Sequence, residues 1–352
     1  MEAAARRVVD EAIQRRIFPA ATIEVGDNAG VLWHDALGTL TFDPDSAPAR
    51  HDTPFDLASL TKVIATTTVI MQLVDQGKLR LDANISQFLA EWRGADRDGV
   101  TIRDLLEHAS GLPARLVDAP PASRREFEHD ICAIPLEYPP RTRSLYSDLG
   151  FILLGFLAAD RGGASLAAQF DRFRTNALGA DTLLTFDVPV DAKRRAAPTR
   201  PLEDDSRRGR VLAGEVHDPY AAALGGAAGH AGLFGTASAV GAFARAVLGA
   251  ARGVANAPAP FSPRRVAEFA AKSAVPGSSR ALGWDTMLPT SSCGPRMSAS
   301  AFGHVGYTGT SLWIDPARDR FYVLLTNRAC GGGTLDQMRE VRRAFHEALA
   351  DL

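Results

Sequence analysis

Cysteine is scarce in this chain. Its three residues, Cys132, Cys293 and Cys330, are far apart and odd in number, and no CxxC pair occurs. That excludes a zinc knuckle and a disulfide framework, and leaves reduced thiols as the expectation. Long hydrophobic runs are missing too. The stretch VIATTTVIMQLV, residues 63–74, carries three threonines and stops after 12 positions, against the ~20 that a spanning helix needs. The N-terminal stretch MEAAARRVVDEAIQRRIFPAATIEVG is charged and helix-periodic. It lacks the apolar segment and small-residue cleavage site of a secretory signal, so a cytoplasmic location is expected. An excess of charge of one sign is also absent. A formal net charge of −2 gives no reason to expect a nucleic acid or an anionic membrane as partner. Neither GxSxG nor HExxH occurs, which sets aside an α/β-hydrolase nucleophile elbow and a zinc-protease helix. No cofactor and no metal are expected. The oligomeric state is not legible.

What is present is ordinary soluble composition, 46% hydrophobic and 23% charged, over 352 residues, enough to bury a large core. An amphipathic helix opens the chain, with Ala4, Val8, Ala12 and Ile13 on one face and Pro19 ending it. AATIEVGDNAGVLWHDALGTL then alternates like a β-hairpin. From Ser59 to Gly77 the pattern is helical, with Gly77 placed as a left-handed C-terminal stop. TIRDLLEHASGLP, 101–113, reads as a helix capped by Thr101 and broken at Gly111 and Pro113. Residues 114–145, rich in Pro and Arg, read as loop, and 187–215 as a long surface excursion. Arg207, Arg208 and Arg210 follow Glu203, Asp204 and Asp205, a mixed-sign run expected on solvated surface. Apolar helices follow at SDLGFILLGFLAADRGG, ASLAAQFDRFRTNAL and ASAVGAFARAVLGAARG. Two strand-like runs around a PARD turn precede a closing helix, TLDQMREVRRAFHEALADL. Strand-rich ends around a helical middle imply one α/β domain over 1–352. Its α/β part comes from about 1–56 and 275–352, with a mostly helical region, about 57–274, inserted.

The stretch FDLASLTK is where chemistry enters. Positions i and i+3 share a helix face, so Ser59 and Lys62 come within reach if the helix starts there. A serine hydroxyl needs a base, and a lysine serves only if its pKa is lowered. The apolar neighbours Leu57, Leu60, Val63 and Ile64 and the positive helix end push that way. The same N-terminus offers free N–H groups to an oxyanion. SLTK alone is a common tetrapeptide, equally at home as an ordinary first turn; its company decides.

That company is YSD, Tyr146-Ser147-Asp148, before an apolar helix, and GHVGYTGTSLWIDP, 303–316, in the strand-rich end. In this order the chain resembles the serine β-lactamase and penicillin-binding-protein superfamily. The branch is that of class C β-lactamases, with family VIII esterases, D-aminopeptidases and cell-wall amidases. The three motifs SxxK, YxN or SxN, and KTG stand here as SLTK, YSD and HVG. LLEHASGLP, the glycine-rich 225–248, ALGW and LLTNR are similar to further landmarks, so the resemblance covers roughly 5–350. It implies a central antiparallel sheet built from both termini and flanked by helices, and a serine hydrolase working through an acyl-enzyme. Ser59 would be the nucleophile, Lys62 its base or proton relay, and Tyr146 the proton shuttle. The N–H groups of Ser59 and of Tyr307, after Gly306, would form the oxyanion hole, with His304 at the third-motif lysine position. The substrate implied is an ester or amide, small or derived from peptidoglycan. The alternatives are a catalytically silent binding or sensor protein, and a weak β-lactamase or D,D-peptidase.

Two departures from that pattern carry information. His304, mostly neutral near pH 7, weakens the anchor for a substrate carboxylate. Asp148 replaces an amide, and a carboxylate beside Lys62 raises its pKa. Either Tyr146 then does more of the base work, or Lys62 organises charge; Asp148 would orient Lys62 or meet a cationic substrate group. His217 and His230 are expected to stabilise turns at the cleft rim, His108 to be structural, and Trp284 and Trp313 to be core. Residues 114–145 and 187–222 are expected to wall the cleft.

Overall fold

The computed structural model describes residues 1–117, 119–254 and 257–350. Strands β1 (Ala20–Gly26), β2 (Val31–Gly38), β3 (Phe55–Asp56), β4 (Leu184–Thr185), β5 (Phe234–Gly235), β6 (Asp285–Thr286), β7 (Phe302–Val305), β8 (Ser311–Asp315) and β9 (Arg320–Thr326) form two sheets. The larger is antiparallel throughout, in the order β2-β1-β9-β8-β7-β6. Both ends of the chain therefore meet at the β1–β9 pairing, where Ile23 sits opposite Leu324. The expected hairpin is β1–β2, and the PARD turn joins β8 to β9. The smaller sheet, β3-β5-β4, takes two of its three strands, β4 and β5, from the region expected to be helical.

Both faces of the large sheet are covered, and β9 shows it residue by residue. Phe321, Val323 and Leu325 face the core shared with the inner helices, while Tyr322 and Leu324 face the terminal helices. A period of two with both sides apolar produces that split. The terminal side is closed by helices Glu2–Gln14 and Leu335–Ala348. Positions 351 and 352 of the expected closing helix lie outside the described residues. The opening helix buries Ala5, Val9 and Ala12 rather than the face centred on Ala4 and Val8. Its apolar stripe is wider than that expectation took in, and the middle of a stripe is what goes deepest.

One loop expectation and one helix expectation are corrected. Within 114–145, Arg124–Ala133 is a helix capped by Ser123, burying Phe127, Ile131 and Cys132. Its i, i+4 apolar pair is masked by the surrounding charge. Helix 101–113 shrinks to Ile102–Leu106, with a capping box between Thr101 and Asp104. It stops early because His108 takes a positive φ of 54°, which turns its Nδ1 toward the Ser147 N–H at 3.1 Å. Gly77 has the expected left-handed φ of 68°. Trp284 and Trp313 are buried, as expected. Among the described residues no single helix is long and apolar enough to cross a membrane.

Candidate active site

Ser59 sits at the start of a helix whose first turns are π-helical, Lys62–Thr66, before α-helix Thr67–Asp75. Such π segments are frequent at functional sites. The residue before it, Ala58, carries a positive φ of 47°, costly for a side chain with a Cβ. Asp56 holds that turn: one carboxylate oxygen accepts from the Ala58 N–H at 2.8 Å, the other from the His217 N–H at 2.7 Å. Burial pushes the Asp56 carboxyl up to about 6 although both backbone bonds and Arg207 favour its charge.

Lys62 is fully buried. Its Nζ donates to Ser59 Oγ at 3.0 Å, to Asp148 at 2.8 Å and to the His230 carbonyl at 3.0 Å. Three acceptors around one nitrogen match the three protons of an ammonium. Burial alone would push its pKa down. The Asp148 carboxylate and then the Tyr146 oxygen outweigh burial and hold Lys62 above the ordinary lysine value. Of the two roles considered for Asp148, the orienting one fits this geometry, with one oxygen on Lys62 and the second accepting from Arg115 at 2.9 Å.

Tyr146 donates to Ser59 Oγ at 2.6 Å. It stands just before Ser147, which caps helix Asp148–Gly162 and donates to the Pro113 carbonyl at 2.6 Å. Its ring is faced by Lys62 Nζ at 4.8 Å and by the Arg280 guanidinium at 5.1 Å, with the His108 and His304 rings at 4.7 and 5.8 Å. His304 is buried and its Nδ1–H donates to the Val305 carbonyl, 2.9 Å away. Burial, then Arg280 and Lys62, hold it well below the ordinary histidine value, so it is neutral; His108 is held down in the same way.

The third element is the turn after β7. Gly306 allows no side chain: a Cβ there would meet Thr310 Oγ1 at 2.2 Å and the Leu57 carbonyl at 2.6 Å. Thr308 and Thr310 tie the same turn to the carbonyls of Asp56 and Leu57 at 2.7 and 2.9 Å. This contact brings Tyr307 beside Ser59, and neither residue's N–H is used in a backbone hydrogen bond. Two such amides flanking one hydroxyl can both donate to an oxygen anion placed between them.

Ser59, Tyr146, Asp148 and Tyr307 open on one cleft of about 650 Å³. Its walls come from 114–120 and 202–220, as expected, with Leu116, Pro120, Leu202 and Tyr220 among the apolar contributors; Asp118 lies outside the described residues. Its polar side is a chain of pairs. Arg115 bridges Asp148 and Asp218 at 2.9 and 3.0 Å, and Asp218 accepts from His230 Nε2–H at 2.8 Å. Burial would raise the Asp218 carboxyl, but His230 and Arg115 reverse this and hold it well below the carboxylate range. Ligand-capable atoms of Asp148, Asp218 and His230 lie within 4.8 Å of one another. The positive charge beside them is Lys62 and Arg115. His217 stacks on Tyr307 at 5.3 Å and meets the Arg200 carbonyl, so both histidines brace the cleft. Arg207 is not the solvated residue expected: it pairs with Asp205 and donates to the carbonyls of Val216 and His217. Reasoning from sequence missed Asp56, Arg115 and Arg280. Only Asp56 left a local signal, an Asp two residues before a tight turn.

A sequence profile described as Beta-lactamase matches residues 5–346. The chain belongs to the beta-lactamase family. It is 31% identical to an N-acetylmuramyl-L-alanine amidase of Bacillus subtilis (strain 168), over 92% of this chain and 80% of that protein. It is 29% identical to a putative D-alanyl-D-alanine carboxypeptidase of Escherichia coli (strain K12), over 80% and 70%. Among solved structures, a penicillin-binding-protein homologue from Caulobacter crescentus superposes with a TM-score of 0.77 at 22% identity, over 99% and 97% of the two chains. EstCE1, a hydrolase with promiscuous acyltransferase activity, gives 0.75 at 21%, over 98% of each. The likeness to those structures establishes the β-lactamase/transpeptidase-like fold. As a member of this family the chain is a serine hydrolase.

Proposed function

We propose that this beta-lactamase-family enzyme hydrolyses an amide derived from peptidoglycan through an acyl-enzyme on Ser59. The observation that carries the mechanism is the double contact on Ser59 Oγ, from Lys62 at 3.0 Å and Tyr146 at 2.6 Å. An ammonium that donates all three protons has no lone pair to act as base. The seryl proton therefore goes to Tyr146, which acts as a phenolate once its own proton has passed to solvent, as Oγ attacks the carbonyl carbon. Lys62 and Arg280, facing the Tyr146 ring, stabilise negative charge on its oxygen. The tetrahedral oxyanion is received by the N–H groups of Ser59 and Tyr307, donors worth ~3 kcal/mol each in such sites. Tyr146 then passes its proton to the leaving amine, and later takes one from the water that releases the acid.

The amide reading rests on the two curated relatives, whose names are those of an amidase and a carboxypeptidase. The cleft agrees with it in character, being apolar on one wall and ion-paired on the other. A second reading, a substrate with a terminal carboxylate such as a D-alanyl peptide or a β-lactam, is favoured by Arg280. Its guanidinium supplies, next to neutral His304, a cation that the third motif itself lacks. Intact-mass detection of an acyl-enzyme, with muramyl-L-alanine, a D-Ala-D-Ala peptide, nitrocefin and p-nitrophenyl esters offered side by side, tests both. Turnover of muramyl-L-alanine that vanishes in Ser59→Ala is expected. Turnover confined to esters would overturn the amide reading, and fluorophosphonate labelling that survives Ser59→Ala would overturn the mechanism.

A further inference from the structure

Behind the oxyanion turn lies a buried cation with no carboxylate. Arg342, on helix Leu335–Ala348, is 5% exposed, and no described acidic side chain pairs with it. Its Nη2 donates to the Gly306 carbonyl at 2.7 Å and to the Thr310 carbonyl at 3.0 Å, while its Nε is buried without a partner. Burial, then neighbouring Arg328, pushes it down to about 9, which still leaves it charged at neutral pH. An unpaired buried charge is a standing cost to the fold. Neither carbonyl requires it: Gly306 O also accepts from the Gly309 N–H at 3.1 Å, and Thr310 O from the Gly306 N–H at 2.8 Å.

The position of the contact explains what the cost supports. The Gly306 carbonyl and the Tyr307 N–H are two ends of one peptide group, and in a trans peptide they point in opposite directions. A cation held on the oxygen draws electron density from the nitrogen side and makes that N–H a stronger donor. We propose that Arg342 is a positioning residue that polarises the Gly306–Tyr307 peptide from behind, so that the Tyr307 N–H stabilises the tetrahedral oxyanion more than it binds the ground state. This rests on the reading of Tyr307 as an oxyanion donor. Arg328 is a built-in comparison. It is buried too, but donates through Nε and Nη2 to the Tyr307 carbonyl at 3.0 and 2.6 Å, the oxygen of the next peptide group, whose N–H belongs to Thr308.

The test compares Arg342→Met, Arg342→Gln and Arg342→Lys for kcat and KM on a p-nitrophenyl ester, for fluorophosphonate labelling rate, and for Tm. An oxyanion donor is worth ~100-fold or more in rate, and polarisation supplies a fraction of it. The Met and Gln variants should therefore lose about 5- to 10-fold in kcat and labelling rate, with KM within about twofold. Lys, which keeps the charge, should stay within about threefold of the parent. Tm should hold or rise in Arg342→Met, because a buried charge is removed and both carbonyls keep a donor. Should Met not fold, the Gln and Lys pair decides. Undiminished kcat in Met or Gln, a Lys variant as slow as Gln, or a kcat loss that follows a fall in Tm would each overturn the inference. Absence of Ser59 labelling in the parent enzyme would instead overturn the reading of the site beneath it.

Discussion

Replacing Asp148 by Asn removes one charge from the centre of the site and keeps its shape. Asp148 lies between two cations, Lys62 at 2.8 Å and Arg115 at 2.9 Å, and Lys62 has no exposure to water. At an effective dielectric of ~20 a pair at that distance is worth about 6 kcal/mol. Breaking such a pair by removing one partner costs about 3–5 kcal/mol. An asparagine oxygen still accepts from Lys62, so the expected loss of stability is about 2–4 kcal/mol. With ~2 cal/mol/K of unfolding entropy per residue over a chain of this length, that lowers Tm by about 3–5 °C. The catalytic consequence is more specific. Lys62 donates to Ser59 Oγ, so the charge on this amino group governs proton transfer at the serine. Taking away the neighbouring anion makes the group release its proton more easily, since burial then dominates at Lys62. The acid limb of the fluorophosphonate labelling rate should move down by about 1–2 pH units, while the plateau above it falls less than about tenfold because the contacts to Ser59 remain. Labelling from pH 5 to 10 avoids a titrating substrate. An acid limb that stays within ~0.3 unit of the parent, in a variant with normal Tm, would refute the claim that Asp148 sets the charge on Lys62.

Gly306→Ala should place a methyl against Thr310 Oγ1 and the Leu57 carbonyl. Displacing the Tyr307 N–H in this way is expected to cost ~100-fold in kcat with little change in KM, and steady-state kinetics on an ester reads it. Glu24, buried between β1 and helix Ala237–Ala251, is pushed up to about 7 by burial, with Arg245 partly opposing. A raised carboxyl gives stability that is complete below its unfolded value near 4.5 and lost as pH rises through about 7. Glu24→Gln should therefore raise stability by about 2–3 kcal/mol at pH 8, and by little at pH 4.5; denaturant melts at both pH values check this. His346 is pushed down to about 3 by burial and Arg342. A lowered histidine gives stability that is present above its unfolded value near 6.5 and lost as pH falls below it. His346→Gln should thus flatten the acid loss of stability between pH 6.5 and 4 by about 1.4 kcal/mol per pH unit, and an unchanged slope would count against its burial as a neutral ring.

The chain's own order carried the site's core. SLTK, YSD and HVG are local strings, and a helix brings Ser59 and Lys62 together by period alone, without any distant partner. The β9 strand, the left-handed Gly77 and the capped helix at Thr101 were equally legible, because period and caps are written within a few residues. The limits appear where a role depends on residues far apart in the chain. Helix Arg124–Ala133 was hidden because its three buried apolar positions stand among charges that face water. Arg115 and Arg280 gain meaning only beside Asp148 and Tyr146, 33 and 134 positions away along the sequence. Arg342 is one of several arginines on an amphipathic helix, and only packing sends it inward to Gly306. So the sequence by itself determined the family, the pairing of Ser59 with Lys62 and the sheet built from both ends, since these follow from short-range spacing. The tertiary structure decided which charges surround Ser59, and hence that Lys62 is a cation, that His304 is neutral and that Arg342 stands behind the Gly306 turn. Charge state depends on burial and on through-space neighbours, and neither is encoded at any one position.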